Sequence, residues 1–518
     1  MLSLNFYGGV NQIGGNKILL RDSDTGLFLD FGTPYSIRGN YFEEFLNPRP
    51  GAGLLDLLEL GLLPSLKGIY RPDLVIPEII QRFGSAPKIS VDGVLVSHAH
   101  LDHCGYVSFL RKEIPIYASA LTGFIVKAMQ DCGGTDFERE ICYLSQRVRE
   151  NNYLKTEGPY QQRCFVFVDG FPSGNTAQEF WDWSPAKTKK MVCYHNAISR
   201  DRIGKLPVRY FPVDHSVFGA TAYAINTSRG WVAYSGDLRL HGINGWKTSK
   251  AAEEISKLKP YIYLGEGTRV METTQTTEEN VYEKALQATR NTSGKMVLAD
   301  FGPRNIERLQ TFYRIAQETK RQLVVLAKDA YMLDKMSLAS DQVTSLEQQT
   351  DILIYEDRHY RRANWEEGIW DRFTDRKVTP SMIGNSPGEF ILCFSFWDIN
   401  DLIDIAPRGG TYIYSSSEAY DEEQQLDMRR LNNWLKHFDI KGVGRPWEEL
   451  NWQVPDDEKG FHASGHASGP DLVEIIRKIE PQIFIPIHTE HPLYFVEALK
   501  GTNTRVLIPE LDKEMTFT

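Results

Sequence analysis

The chain has 518 residues, 42% hydrophobic and 24% charged, an ordinary globular composition with room for two or three domains. A formal net charge of −10 argues against a broad basic surface that clamps nucleic acid, although bound divalent cations would add local positive charge that this count omits. No apolar run is long enough for a membrane span, the opening MLSLNFYGG lacks the basic start and long apolar core of a signal peptide, and six cysteines without a CxxC pair do not make a disulfide framework. A cytoplasmic protein without a membrane partner is expected, its cysteines mostly small buried hydrophobes.

In chain order, Phe6 to Gly8, Asn16 to Arg21 and Gly26 to Phe31 read as short strands separated by glycine-rich turns. Residues 41–90 read as one or two helices and loops. Val94 to Val96 is a short apolar strand, followed by a polar cluster, an apolar helical run and the strand PIYAS, which is an α/β pattern. Residues 131–200 read as an elaboration. After YFPVDHS, the turn SRG between two alternating runs predicts a hairpin. From Tyr261 the character changes. TTQTTEENVYEKALQATRN predicts a threonine-capped helix, and the runs KMVLADF, QLVVLAK, DILIY, FILCFSF and TYIYSSS alternate with helical segments. That alternation predicts an open, mainly parallel sheet. The expected boundaries are 1–262 and 443–518 for one domain and 263–442 for a second, inserted one.

Three of the twelve histidines fall within the six residues HAHLDH, at 98–103. His98 and His100 are two apart, so in an extended segment they share a side. Asp102 and His103 continue toward a second position. Imidazole nitrogens and carboxylate oxygens at this density suit zinc, manganese or iron. His215 in FPVDHS, Asp237 in AYSGD and His488 in IFIPIH each stand just past the carboxyl end of an apolar strand, where α/β proteins carry their sites.

HAHLDH resembles the HxHxDH signature of the metallo-β-lactamase fold, and the order Asp30, HAHLDH, His215, Asp237 resembles that superfamily's ordered motifs. The 251-residue separation of Asp237 from His488 resembles the β-CASP branch, whose nucleic-acid-cutting members carry an extra domain there. Glu278 in QTTEENV, His466 in HASGHAS and His488 in PIHTEHP resemble the acidic motif A and the histidines of motifs B and C. A histidine at motif C is the pattern of the RNA-processing members, and DHSVFGA, GWVAYSGDLRLH and VLADFGPRNIERLQ resemble ribonuclease J. Two departures stand out: the 112-position separation of His103 from His215, and Thr489 where the family has glycine.

The resemblance implies an αββα sandwich interrupted by a β-CASP α/β domain with a mainly parallel sheet. It implies two divalent metal ions, zinc first and manganese second. One would take His98, His100 and His215, the other Asp102, His103 and His488, and Asp237 would bridge them. Asp30 would support these ligands from behind. The expected activity is hydrolysis of RNA phosphodiesters, as a 5′-to-3′ exonuclease with endonuclease activity, on a single-stranded partner. Asp102 would orient the attacking water. His466 would contact phosphate or protonate the leaving oxygen, and Glu278 would orient His466 by a hydrogen bond. Ser216, His462 and Ser464 are candidate phosphate contacts, as are Ser415, Ser416 and Ser417 with help from Arg304. Tyr331 and Trp397 could stack bases but are expected in the core. Competing readings are a small-molecule hydrolase, a DNA nuclease and a non-enzymatic subunit of an RNA-processing complex. The sequence leaves a homodimer open.

Overall fold

A computed structural model of the chain describes every residue except 44, 135, 152, 195–197, 274, 359–360 and 417–421, and the side chains of 422 and 423. It divides into two compact units. The first comprises Met1–Leu240, Asn244–Thr273 and His466–Thr518; the second comprises His241–Ile243 and Thr274–Gly465.

The first unit holds two seven-stranded sheets. One runs, in spatial order, through Glu514–Phe517, Leu2–Phe6, Ile18–Asp22, Thr25–Leu29, Gly93–Leu95, Ile116–Ala118 and Phe165–Phe167. The other runs through Arg202–Ile203, Leu206–Pro212, Thr221–Thr227, Gly230–Tyr234, Ile262–Gly265, Ile483–Pro486 and Arg505–Val506. Period-two alternation drives their union. Leu2, Leu4, Phe6, Ile18, Leu20, Leu27 and Leu29 of one sheet share a core with Tyr223, Ile225, Val232, Tyr234, Leu264 and Ile485 of the other. Each such side chain contributes about 1.5–3 kcal/mol on full burial. The opposite face of the second sheet presents Ala222, Ala224, Ala233 and Phe484 to helices Gly245–Ser256 and Gly469–Ile479. Small alanines let those helices approach.

The first predicted strand lies earlier than expected, at Leu2–Phe6, because Leu2, Leu4 and Phe6 supply its buried face. The predicted hairpin forms between Thr221–Thr227 and Gly230–Tyr234. The elaboration contributes a long hairpin, Tyr143–Glu150 with Tyr153–Gln162, joined by Met191–Val192 into a three-stranded sheet.

The second unit is built on a seven-stranded sheet ordered Lys377–Val378, Ile352–Tyr355, Gln322–Val325, Phe390–Leu392, Met296–Asp300, Gly410–Tyr414, Ile440–Val443, and every pairing is parallel. Thr277 caps helix Glu278–Arg290 in a reciprocal capping box with Asn280. The units part at different places from the expected boundaries. Ile262–Gly265 pairs with Gly230–Tyr234 and Ile483–Pro486, which keeps the chain to Thr273 in the first unit. Residues from 443 to Gly465 stay with the second, where Gly444 N–H donates to Glu458 and Arg308 to the carbonyl of Phe461.

Among the described residues no helix is long and apolar enough to cross a membrane. All six cysteines are free thiols, four of them buried. Tyr331 packs in the core against Trp365, as expected, but Trp397 is 73% exposed. It lies in a short turn of helix whose buried member is Ile399.

Candidate metal centre

The centre of the first unit is assembled from strand ends. Strand Gly93–Leu95 delivers His98, and His100 immediately precedes the short helix Leu101–Cys104, which carries Asp102 and His103. The helix fits only because Gly32 lacks a side chain: a Cβ there would lie 1.7 Å from the Asp102 carbonyl oxygen. His215 follows Leu206–Pro212, Asp237 follows Gly230–Tyr234, and His488 follows Ile483–Pro486 in a left-handed conformation with φ of 51°.

Seven side chains converge. His100 Nδ1 lies 3.0 Å from His98 Nε2 and 3.1 Å from His215 Nε2, and Asp237 Oδ2 lies 3.7 and 3.9 Å from those two imidazoles. On the other side His103 Nε2 is 3.2 Å from His488 Nε2, 3.5 Å from Asp102 Oδ2 and 3.1 Å from Asp237 Oδ2. His488 Nε2 is 3.3 Å from Asp102 Oδ2. Two donor quartets therefore share Asp237: His98, His100, His215, Asp237 and Asp102, His103, Asp237, His488. Donors about 2.0–2.1 Å from a tetrahedral ion sit about 3.3 Å from one another, and these spacings cluster around that value.

The surrounding hydrogen bonds fix which imidazole nitrogen is free. Asp30, buried and in a strained left-handed conformation (φ 56°), accepts from Ser97 N–H at 2.7 Å, Ser97 Oγ at 2.8 Å, Tyr234 OH at 2.5 Å and His103 Nδ1 at 2.6 Å. His103 thereby turns Nδ1–H to Asp30 and Nε2 to the centre, where, against burial, Asp237, Asp102 and Asp30 hold its basicity well above the ordinary value until a cation takes that nitrogen. Ser97 gives its only proton to Asp30, so its oxygen accepts from His98 Nδ1 at 3.0 Å and frees His98 Nε2. Thr268 Oγ1 donates to Glu266 at 2.8 Å and accepts from His488 Nδ1 at 2.8 Å, freeing His488 Nε2. Three of the five imidazoles in the quartets, His98, His103 and His488, thus have Nδ1 held from outside and Nε2 turned to the centre.

Charge follows the same layout. Burial opposes ionisation of Asp237 and Asp102, but His103 and the other imidazoles outweigh it and hold both carboxyls well below the usual range. Burial and the neighbouring imidazoles push His98 well below its usual value, the neutral form a ligand requires. Asp237 Oδ1 is buried and meets no hydrogen-bond partner among the described residues. A buried carboxylate with one oxygen unpartnered and the other facing several imidazole nitrogens is an arrangement that a bound cation satisfies.

His466 joins this centre, and its partner differs from the expected one. Its Nδ1 lies 3.0 and 3.1 Å from the two oxygens of Glu266 and 3.9 Å from Asp237 Oδ2. Burial alone would depress its basicity, but Glu266 and Asp237 push it up to about 9. Glu266 also accepts from Leu238 N–H at 2.9 Å and from Thr268 N–H at 3.2 Å and its hydroxyl, so its oxygens are fully engaged. The trio Asp237, Glu266, His466 has ligand-like spacing, but saturated acceptors on Glu266 make it an orienting pair.

Glu278, assigned that role from sequence, belongs to the second unit. It is buried at the start of its helix and holds the wholly buried Arg308 through two contacts of 3.1 Å. Arg308 also donates to the carbonyl and hydroxyl of Ser415, whose own proton goes to the Phe461 carbonyl at 2.5 Å. Ser415 is thus spent inside a buried network, a correction to its assignment as a phosphate contact. His462 is half-buried with Nδ1 3.3 Å from the Ser415 carbonyl, and the Ser464 carbonyl lies 2.9 Å from His241 Nε2. Ser416 and Arg304 are half-buried in that unit, and Ser216 is half-buried beside His215 in the first. Ser417 lies outside the described residues.

Sequence reasoning missed Glu266, Thr268 and Ser97. The signal for Glu266 was present: EGT follows the apolar strand Ile262–Gly265, as SGD and PIH follow theirs.

Residues 459–509 match the model of the Zn-dependent metallo-hydrolase RNA specificity domain. Ribonuclease J of Pyrococcus abyssi is 21% identical over 95% of this chain and 90% of its own length. Ribonuclease J of Helicobacter pylori strain J99 is 19% identical over 93% of this chain and 55% of its own length, so the chain spans about half of that relative. Ribonuclease J 2 of Staphylococcus saprophyticus is 19% identical over 88% of this chain and 68% of its own length. A crystal structure of a protein of unknown function from Enterococcus faecalis V583 superposes with a TM-score of 0.67 at 22% identity over 99% of both chains, a likeness of fold. The chain is thus similar to ribonuclease J over most of its length, and to the Zn-dependent metallo-hydrolase RNA specificity domain over residues 459–509.

Proposed function

We propose that the chain is a metal-dependent RNA phosphodiester hydrolase of ribonuclease J type. The observation that carries this is the pair of donor quartets sharing Asp237. His98, His100 and His215 would hold one divalent ion, Asp102, His103 and His488 the second, and Asp237 both; zinc is the first choice and manganese the second. Bound ions would supply Lewis acidity and a water of lowered pKa. Asp102, whose Oδ2 faces both His103 and His488, would also orient that water. Glu266 holds His466 by Nδ1, so its Nε2 would donate to a phosphate oxygen or to the leaving oxygen.

The RNA-specificity match at residues 459–509, which contains both His466 and His488, supports RNA over a small molecule. Free thiols throughout fit a reducing, cytoplasmic setting. The test is cleavage of end-labelled RNAs carrying a 5′ triphosphate, monophosphate or hydroxyl, with zinc or manganese. Mononucleotides released from the 5′ monophosphate substrate are expected for the exonuclease, and internal fragments for the endonuclease. Intact RNA with both ions bound would refute the reading.

A further inference from the structure

The second unit holds an unmet set of hydrogen-bond donors outside the network of Arg308. Strand Ile440–Val443 ends the parallel sheet, and Gly444, Arg445, Pro446 and Trp447 leave its carboxyl end, where open α/β sheets bind ligands. Arg445 is only 7% exposed. Its guanidinium lies over the bare Cα of Gly442, where a Cβ would come within 2.6 Å of Nε, and 4.1 Å from the centre of the Trp447 ring. Nε and Nη1 of Arg445 and Nε1 of Trp447 are all buried and meet no acceptor among the described residues. These are donor-only groups, and leaving them unmet is costly. The nearest carboxylates do not relieve them: Glu458 accepts from Gly444 N–H at 3.0 Å, and Glu449 is exposed.

The loop beyond is shaped at a cost. Trp447 N–H donates to Gln453 O at 3.1 Å and Trp452 N–H to Trp447 O at 2.9 Å, which closes a tight turn. The turn places Asn451 (φ 50°) and the bulky Trp452 (φ 59°) in left-handed conformations. A bulky residue in that region is strained, and such strain gathers at binding loops. A second pair, Arg429 stacked 5.4 Å from Trp452 and bonded to Glu448 at 2.7 Å, braces the same turn.

We propose that Arg445 and Trp447 form a phosphate-binding site on the second unit that takes a backbone phosphate of single-stranded RNA. Two guanidinium N–H groups and one indole N–H suit the acceptor-only oxygens of a phosphodiester. The choice of RNA as the source of that phosphate rests on the hydrolase reading above.

The test uses the full chain with 15N-labelled tryptophan, the Trp447 indole signal being the one absent from W447F. Inorganic phosphate and a non-cleavable 2′-O-methyl oligonucleotide are added separately. Both should move that signal saturably, and Arg445→Lys and Arg445→Ala should each weaken the midpoint by about tenfold or more. Should the alanine variant fail to fold, the lysine variant and the wild-type signal decide. A signal that neither probe moves, or a midpoint unchanged in the arginine variants, overturns the site. A shift of the signal in Glu449→Gln without added probe also overturns it, because Glu449 is then the acceptor. Movement with phosphate but not with the oligonucleotide overturns the assignment to RNA. RNA cleavage with a motionless Trp447 signal rejects this site while leaving the hydrolase reading intact.

Discussion

Two buried clusters of acids, one in each unit, are in opposite electrostatic conditions. In the metal centre Asp102 and Asp237 are surrounded by imidazoles, and their carboxyls are held well below the usual range. At the carboxyl end of the parallel sheet, Asp300 is buried near Asp398, and its carboxyl is pushed up to about 7 against the opposing hydrogen bond from Tyr412. Burial is common to both, so the neighbours decide whether a carboxyl is poised as an anion or kept as an acid. The first cluster can hold cations at neutral pH; the second carries a folding penalty there.

The largest effect should come from breaking the shared member of the first cluster. Asp237→Asn removes the anionic oxygen common to both quartets. RNA cleavage should fall by about three orders of magnitude or more, with bound metal falling in parallel by elemental analysis. Full activity in this variant would refute the assigned bridge. His466→Ala should slow cleavage about 10²–10⁴-fold at unchanged metal content. Glu266→Gln should cost about 10–100-fold, because it weakens the hold on His466 Nδ1 without removing a ligand. Loss of both ions in the Glu266 variant would make it a ligand instead.

How much of this was legible in the sequence follows from what each residue depends on. His98, His100, Asp102 and His103 lie within six residues, so their spacing alone announces a shared target. His215, Asp237 and His488 come from separate strands, but all end apolar runs, and the sheet order that aligns those ends is fixed by the runs themselves. The partner of His466 was not legible in the same way. Glu266 and His466 are 200 positions apart, and only the parallel pairing of Ile262–Gly265 with Ile483–Pro486 brings EGT beside the centre. Glu278 drew the assignment because an acid at a capped helix start is conspicuous, yet that position faces Arg308. The tautomers set by Ser97, Thr268 and Asp30 depend on who donates to whom, which no spacing encodes.

The Glu278 correction can be sharpened by separating stability from chemistry. Arg308→Met leaves Glu278 as a buried carboxylate without its guanidinium and should destabilise the fold by about 3–5 kcal/mol, read by chemical denaturation. Metal content should stay unchanged. Glu278→Gln should likewise lower stability and leave the pH profile of cleavage in place. A changed pH profile at wild-type stability would return Glu278 to the catalytic role inferred from sequence.

The smallest effect tests the second cluster. The Asp300 carboxyl titrates near 7 in the folded chain, against about 3.9 when unfolded. Between those values the folded state binds one more proton than the unfolded state, so stability falls as pH rises. The contribution is whole below about pH 4 and is lost through pH 7, at about 1.4 kcal/mol per pH unit within that window. Asp300→Asn should therefore flatten the pH dependence of unfolding between pH 5 and pH 7. Comparing the variant with wild type at each pH removes the titration of the metal-centre histidines from the difference. A difference that does not grow with pH would show Asp300 to be already ionised in the fold, and the two clusters would then not be opposites.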